Sequence, residues 1–450
     1  LVVAAWLASN WNDAPPQPRP AALALPAPSL PDARNAYFTL AGLRAAPDRD
    51  ASAAGQAVWR LLLARAHTTT SQRFVPDHDT PPMDTAPALG ESLPDFSGPP
   101  LMCTSHMDDC VAQWIAAADA LRRQRDTHAP IGARCERLLD GDFAFEEALP
   151  PMRTLAEPIA QHGVGASRCI RWFTSGAVLA WVRQDRDSVA AMLNRADRLS
   201  RALLEGSHSL IGHMLAVRFA RDTLGTAAAL GVRDPGLGAA LKPLLAPLPD
   251  PLEGIKRWMV VEAAYQRGAI EDIERQRVDV STLADVDLAA WLARHRIGWH
   301  PQRTLAHSDA HWLRSMQRLD AGLHAAIDAF AREAADDAHN DAWHGLTWVN
   351  PVGSILIGVA RPAYGVYLAR VADVDLQREV TALAIDAAAA SVPATERPAY
   401  STVEATREED EPPRSRGEPT RMPWRGIRSR GANAPPGAGR GLDVDSTGPR

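Results

Sequence analysis

The chain has 450 residues, a formal net charge of −6 at pH 7, and is 46% hydrophobic and 23% charged. This is the composition of a folded globular protein, and it excludes both a globally basic nucleic-acid binder and a highly acidic solvating chain. Four cysteines in a chain of this length exclude a disulfide-dense miniprotein. The length accommodates about three domains or one large helical one.

The chain opens Leu-Val-Val-Ala-Ala-Trp-Leu-Ala. As a helix this piece covers about 12 Å, whereas a bilayer core needs about 30 Å. Residues 1–11 therefore read as the end of a truncated membrane anchor or signal region, with Trp6 and Trp11 at the interfacial position that Trp favours. Residues 12–32 contain Pro15, Pro16, Pro18, Pro20, Pro26, Pro28 and Pro31, which predicts an extended, stiff stalk. Arg19 is the only positive charge in that stalk, so the positive-inside tendency places the body outside the cytoplasm. The expectation is a single-pass inner-membrane protein with its body in the periplasm. Lys occurs only at Lys242 and Lys256, the remaining positive residues all being Arg. With so much Ala, this reads as the codon bias of a GC-rich genome.

Beyond the stalk the periodicity is helical almost throughout, and strand-like alternation is nearly absent. A small helical unit covers 33–66, where Val58, Leu61, Leu62 and Ala66 form an amphipathic face. A Pro/Thr/Asp/Gly-rich long loop follows over 67–100. The main helical domain runs over 101–390. There Asp187 or Ser188 caps a helix carrying Val189, Met192, Ala196, Leu199 and Leu203. Ile170, Phe173, Ala177 and Trp181 precede it at the same spacing. Leu210, Met214, Val217, Leu224 and Ala228 follow, with Arg221 interrupting the stripe. Trp312, Met316, Leu319, Leu323, Ile327 and Phe330 make the clearest stripe. Gly163 to Gly165, Gly206, Gly231 to Pro235 and Gly268 read as breaks. Short links force consecutive helices antiparallel. The fold class is all-α, with antiparallel helical hairpins in a solenoid-like or irregular bundle array. Asn350-Pro351 reads as an N-cap followed by a first helical residue, and a last helix spans about 375–390. From 391 to 450 the apolar pattern vanishes into a disordered tail.

Cys103 and Cys110 flank a turn and suit a local disulfide in an oxidising compartment. Cys135 and Cys169 sit on separate helices, either stapling them or remaining as buried thiols. Four cysteines allow three connectivities. No C-x-x-C spacing occurs, which disfavours zinc. His307 and His311 are at i and i+4, a spacing that can chelate a metal. However, Ser308 stands where the metalloprotease motif needs Glu, and no third ligand presents itself. Their face reads as solvated, and no metal is expected. His208 and His213 read as satisfied core or boundary histidines. Glu262, inside Trp258-Met259-Val260-Val261-Glu262-Ala263, would be desolvated and its pKa raised unless an Arg pairs with it. A structural ion pair is the expectation. Glu146 and Glu147 diverge if helical and make a poor acid/base dyad. No Gly-x-Ser-x-Gly, Ser-x-x-Lys, phosphate loop or Gly-x-Gly-x-x-Gly occurs, and no cofactor is expected.

Several short motifs together resemble a family of hypothetical proteins of Gram-negative proteobacteria that carry one N-terminal membrane anchor. They are Asn35-Ala36-Tyr37-Phe38 with Gly42-Leu43, the Cys103/Cys110 pair, Asn350-Pro351-Val352-Gly353, Pro362-Ala363-Tyr364 and Tyr367-Leu368-Ala369-Arg370. The resemblance covers about 33–390 and implies no activity, ligand or catalytic residue. The tail beyond about 395 departs from it.

The expected function is a membrane-tethered periplasmic helical scaffold, or protein-interaction domain, that is not an enzyme. Its partner would be an envelope protein or peptide, with the membrane contacted through the anchor and no nucleic acid bound. The alternative is a cell-envelope hydrolase with a dispersed Glu/His active site drawn from Glu262, His213 and His208. Convergence of those three in one pocket would favour the enzyme.

Overall fold

A computed structural model describes residues 13–69, 86–89, 93, 110–140, 143–149, 161–248, 250–275, 299–339, 350, 353–354, 357 and 364–391. The chain divides into two units, Leu1–Pro398 and Ala399–Arg450, and all the described residues belong to the first. The expected anchor, Cys103, most of the 67–100 loop and the tail lie outside the described residues. Among the described residues the structure is all-α, and its one β feature is an isolated bridge between Asn35 and Ala144. No described helix is long and apolar enough to cross a membrane.

The helices of six residues or more among the described residues are α1 Ala36–Ala41, α2 Ala51–Thr69, α3 Cys110–Ala116, α4 Ala118–Thr127, α5 Ala129–Leu139, α6 Gln161–Val182, α7 Arg186–Gly206, α8 Leu210–Arg233, α9 Pro251–Arg275, α10 Pro301–Leu319, α11 Leu323–His339 and α12 Tyr364–Ser391. Short connectors fold α6, α7 and α8 back on one another. Asp185, rather than Asp187 or Ser188, caps α7 by accepting from the Ser188 amide at 3.1 Å. Ser209 caps α8 through its hydroxyl, which accepts from the Gly212 amide at 3.0 Å. Helix α8 packs against α6, α7, α9 and α12. A solenoid element touches only its neighbours, so this is an irregular bundle.

Two glycine signals change meaning in three dimensions. Gly165 lies inside α6 and Gly268 inside α9, where the sequence suggests breaks. A Cβ on Gly165 would stand 2.1 Å from the Leu40 carbonyl oxygen, and one on Gly55 1.7 Å from that of Phe38. Helix α1 thus crosses α2 and α6 at backbone contact, and glycine is there to let the helices close up.

Two aromatic clusters organise the core. Trp258, Trp312, Phe330 and Tyr364 join α9, α10, α11 and α12, with ring centroids 5.4 Å (Trp258–Tyr364), 5.2 Å (Trp312–Tyr364) and 6.3 Å (Phe330–Tyr364) apart. Tyr37, Trp59, Phe145 and His162 join α1, α2, the segment 143–149 and α6. Such pairs add about 0.5–1.5 kcal/mol each beyond area burial. Cys135 on α5 and Cys169 on α6 are bonded, with sulfurs 2.05 Å apart, and Cys110 is also in a disulfide.

The Pro-rich segment is the main departure from expectation. From residue 13 onward it is a strap lying on the body and not a free stalk. Leu23 is 0% exposed, in a short turn packed on α9 and α10. The Asp13 carboxylate accepts from the amides of Gln302 and Arg303 at 2.7 and 3.1 Å. It caps α10 where the preceding His300 makes no side-chain cap. The Arg19 guanidinium donates to the Val260 carbonyl at 3.5 Å. A polyproline-like chain has few internal hydrogen bonds and little entropy left to lose, so external partners hold it readily.

Asn350 also differs from expectation. Its carbonyl accepts from the Ser354 amide at 3.1 Å, so a helical turn does begin there. Its φ is +61° and its side chain faces α10, accepting from the His300 amide and donating to Thr304 Oγ1, both at 2.9 Å. Pro351, Val352 and most of the helix expected after them lie outside the described residues. The final helix starts earlier than expected, at Tyr364.

Candidate functional site

Residues 143–149 leave α5 in an extended conformation, and Ala144 accepts from the Ala36 amide at 2.9 Å. Asn35 locks this segment. Its amide donates to the Glu146 carbonyl at 2.7 Å, while its oxygen accepts from the amides of Tyr37 at 3.0 Å and Glu146 at 3.1 Å. Adjacent side chains of extended backbone point to opposite sides. Glu146 and Glu147 therefore diverge, as expected, although they are not helical.

Glu146 faces the strap. It accepts from the Ser29 amide at 2.9 Å, the Ser29 hydroxyl at 2.8 Å and the Leu30 amide at 2.7 Å. Burial raises its pKa, but the Ser29 and Leu30 hydrogen bonds with the nearby His208 outweigh that and hold it below the usual range. Glu147, 2% exposed, faces the start of α8. It accepts from the amides of His208 and Ser209 at 2.7 Å each and from the Ser209 hydroxyl at 2.6 Å. A carboxylate at a helix N-terminus also meets the positive end of the macrodipole.

Pro26 and Leu30 of the strap, Phe38 and Trp59 wall a cavity of about 470 Å³ over Glu146, Glu147 and His208. Burial, aided by Arg257, pushes the His208 imidazole below its ordinary value, against the pull of Glu147 and Glu146. His208 thus lines a sizeable cleft beside two carboxylates.

Glu262 on α9 has no arginine ion pair among the described residues, which corrects the expectation. Burial raises its pKa, the Leu210 amide lowers it, and Glu147 raises it further. Tyr37 and Tyr265 have buried hydroxyls without a hydrogen-bond partner among the described residues. Burial first, and Glu147 second, raise both phenols. Glu147, Glu262, Tyr37 and Tyr265 thus form an acidic, phenolic cluster around the first turn of α8.

His213 lies elsewhere. It is 1% exposed, and neither ring nitrogen has a hydrogen-bond partner among the described residues. The expectation of a satisfied core histidine is half right: the residue is core, but it is not satisfied. Burial, with Arg257 second, lowers its pKa to about 4. It lines a separate cavity of about 20 Å³ with Glu205, Asp250, Arg257 and Asp375. Glu262 lines neither cavity, so Glu262, His208 and His213 do not converge.

His307 is exposed, but Ser308, Asp309, His311 and Trp312 are buried, so this is not the solvated face expected. The α10 face turns toward α9, where Gln266 accepts from Ser308 Oγ and Trp312 Nε1, both at 2.7 Å. No group of three potential metal ligands occurs among the described residues.

Glu147 is the residue whose importance the sequence hides most. Its signal was a charged pair between Phe145 and Ala148-Leu149, in a segment too short for a helix. Matched against protein-family models, curated proteins and solved structures, the chain finds no counterpart in any of them.

Proposed function

We propose that this chain is a membrane-tethered periplasmic scaffold whose helical body docks an amphipathic helix of another envelope protein. The observation that carries this reading is on α12. Leu376, Val380 and Leu383 are 59%, 54% and 68% exposed, and they recur at the four-then-three spacing of an apolar helix seam. On the opposite face Leu368, Val371, Val374 and Ile385 are buried. A contiguous apolar patch on an ordered surface element marks an interaction site. The periplasmic placement is supported by Cys135–Cys169, since buried disulfides persist in oxidising compartments.

The test is a photo-crosslinking amino acid at position 380, exposed in envelope membranes. A discrete adduct that disappears when Leu383→Asp is added supports the reading. No adduct, or one indifferent to Leu383→Asp, refutes it. A second reading, an envelope hydrolase, rests on Glu262, whose pKa is raised by burial and further by the neighbouring Glu147. Hydrolysis of cell-wall or peptide substrate that is lost in Glu262→Gln, in a protein still folded, would select it.

A further inference from the structure

We propose that the cleft between the end of the strap, the start of α2 and α5 binds a phosphate monoester dianion. The cleft has a volume of about 330 Å³ and is lined by Arg34, Arg49, Arg134 and Arg137, with Asp50 its only acid.

Arg134 is the starting point. It is 6% exposed. Its two terminal nitrogens donate to the carbonyls of Leu43, Ala45, Ala46 and Arg49 at 2.9, 2.5, 2.7 and 3.0 Å. Carbonyls satisfy its hydrogens but bring no negative charge. Burial first and Arg137 second push its pKa down, and only Asp50 opposes them. A buried charge normally has a counter-charge. Asp50 is already engaged, with its Oδ1 accepting from the Ala53 amide at 2.8 Å to cap α2.

The rim adds two further cations. Arg34 and Arg137 are exposed and have no ion pair or side-chain hydrogen bond among the described residues. They approach from different walls, Arg34 from the strap and Arg137 from α5. Ala51 and Ser52 line the same cleft at the first turn of α2, where helix amides lack an intrahelical acceptor. Arg49 is engaged elsewhere, its Nη1 donating to the Ala88 carbonyl at 2.9 Å, so Arg34 and Arg137, together with the buried Arg134, face one committed carboxylate in a chain whose overall charge is −6. A carboxylate ligand brings one charge in a plane. A phosphate monoester brings nearly two charges on three oxygens, which suit two arginine forks and backbone amides together. The cleft exceeds the size of a phosphate group, so part of the esterified group fits as well.

The full chain is titrated calorimetrically with inorganic phosphate and with glycerol 3-phosphate, in chloride buffer. Both should bind, and Arg34→Gln or Arg137→Gln should each weaken binding about tenfold or more. The double variant should lose it. These side chains are exposed, so folding should be unchanged by circular dichroism. Arg123→Gln, exposed on α4, is the charge control and should bind as the parent does. Vesicles of phosphatidylcholine with phosphatidic acid, against phosphatidylglycerol, identify the source. Capture by phosphatidic acid alone assigns a lipid headgroup, whereas phosphate binding without vesicle capture assigns a soluble monoester. Phosphate bound no better than chloride, or a double variant that binds like the parent, overturns the proposal.

Discussion

Acid should destabilise this protein through His213, and the size of the effect follows from its burial. The ring is 1% exposed, both nitrogens are unpartnered, and the pKa falls from 6.5 to about 4. The folded state thus keeps the imidazole neutral, while the unfolded chain protonates it at its ordinary value. Below pH 6.5 the unfolded state binds more protons, so stability falls as pH falls and levels off once pH passes the folded value. The linkage integral is on the order of 2–3 kcal/mol at pH 4.5 and somewhat larger in the acid limit. The perturbation is His213→Leu, which cannot titrate and removes two unbonded polar atoms beside Gly254. Urea unfolding of parent and variant at pH 8 and pH 4.5 isolates this residue, because other titrating groups act on both chains. The variant should be at least as stable as the parent at pH 8, and its loss on acidification should be smaller by roughly 2–3 kcal/mol. Equal losses for the two chains would mean that His213 is solvated or paired, and the reasoning would fail.

Replacing both Cys135 and Cys169 with Ser should cost about 4 kcal/mol by loop closure across a separation of 34 residues; urea curves of parent and variant, both without reductant so that the Cys110 disulfide stays intact, measure it. Glu147→Gln should cost about 2–4 kcal/mol, because one amide oxygen replaces a carboxylate that accepts from His208, Ser209 and the Ser209 hydroxyl; a loss below 1 kcal/mol would show that the start of α8 can pair elsewhere. Glu146, held below the usual carboxylate range, should fasten the strap at neutral pH and release it as pH falls through its folded value; the protection factors of the Ser29 and Leu30 amides, taken against the intrinsic exchange rate at each pH, should fall on acidification while those of the α8 core hold. Gly55→Ala should cost at least about 2 kcal/mol, because its Cβ would sit 1.7 Å from the Phe38 carbonyl oxygen; thermal unfolding would report it, and an unchanged midpoint would deny the close crossing of α1 and α2.

The sequence carries the helical class because its apolar stripes are long and regular. The stripe from Trp312 to Phe330 becomes α10 and α11, and the Val189 to Leu203 stripe becomes α7. Turn chemistry is less legible, because a glycine that ends a helix and a glycine that lets two helices touch read alike. Gly165 and Gly268 show this. Histidine environments are equally hidden. His208 and His213 are five positions apart on one helix start, yet one lines the strap cleft and the other an interior pocket with Arg257. Only the elements packed around α8 separate them. The ion pair expected for Glu262 fails for the same reason: abundance of arginine along the chain says nothing about which wall an arginine occupies.

The strap illustrates the deepest limit. Prolines dictate an extended backbone, and on that point the sequence is right. Whether such a backbone stands in solvent or lies on a surface depends on distant acceptors, here Asp13 with α10 and Glu146 with Ser29 and Leu30. Those pairs are separated by more than a hundred residues, so no local pattern encodes them.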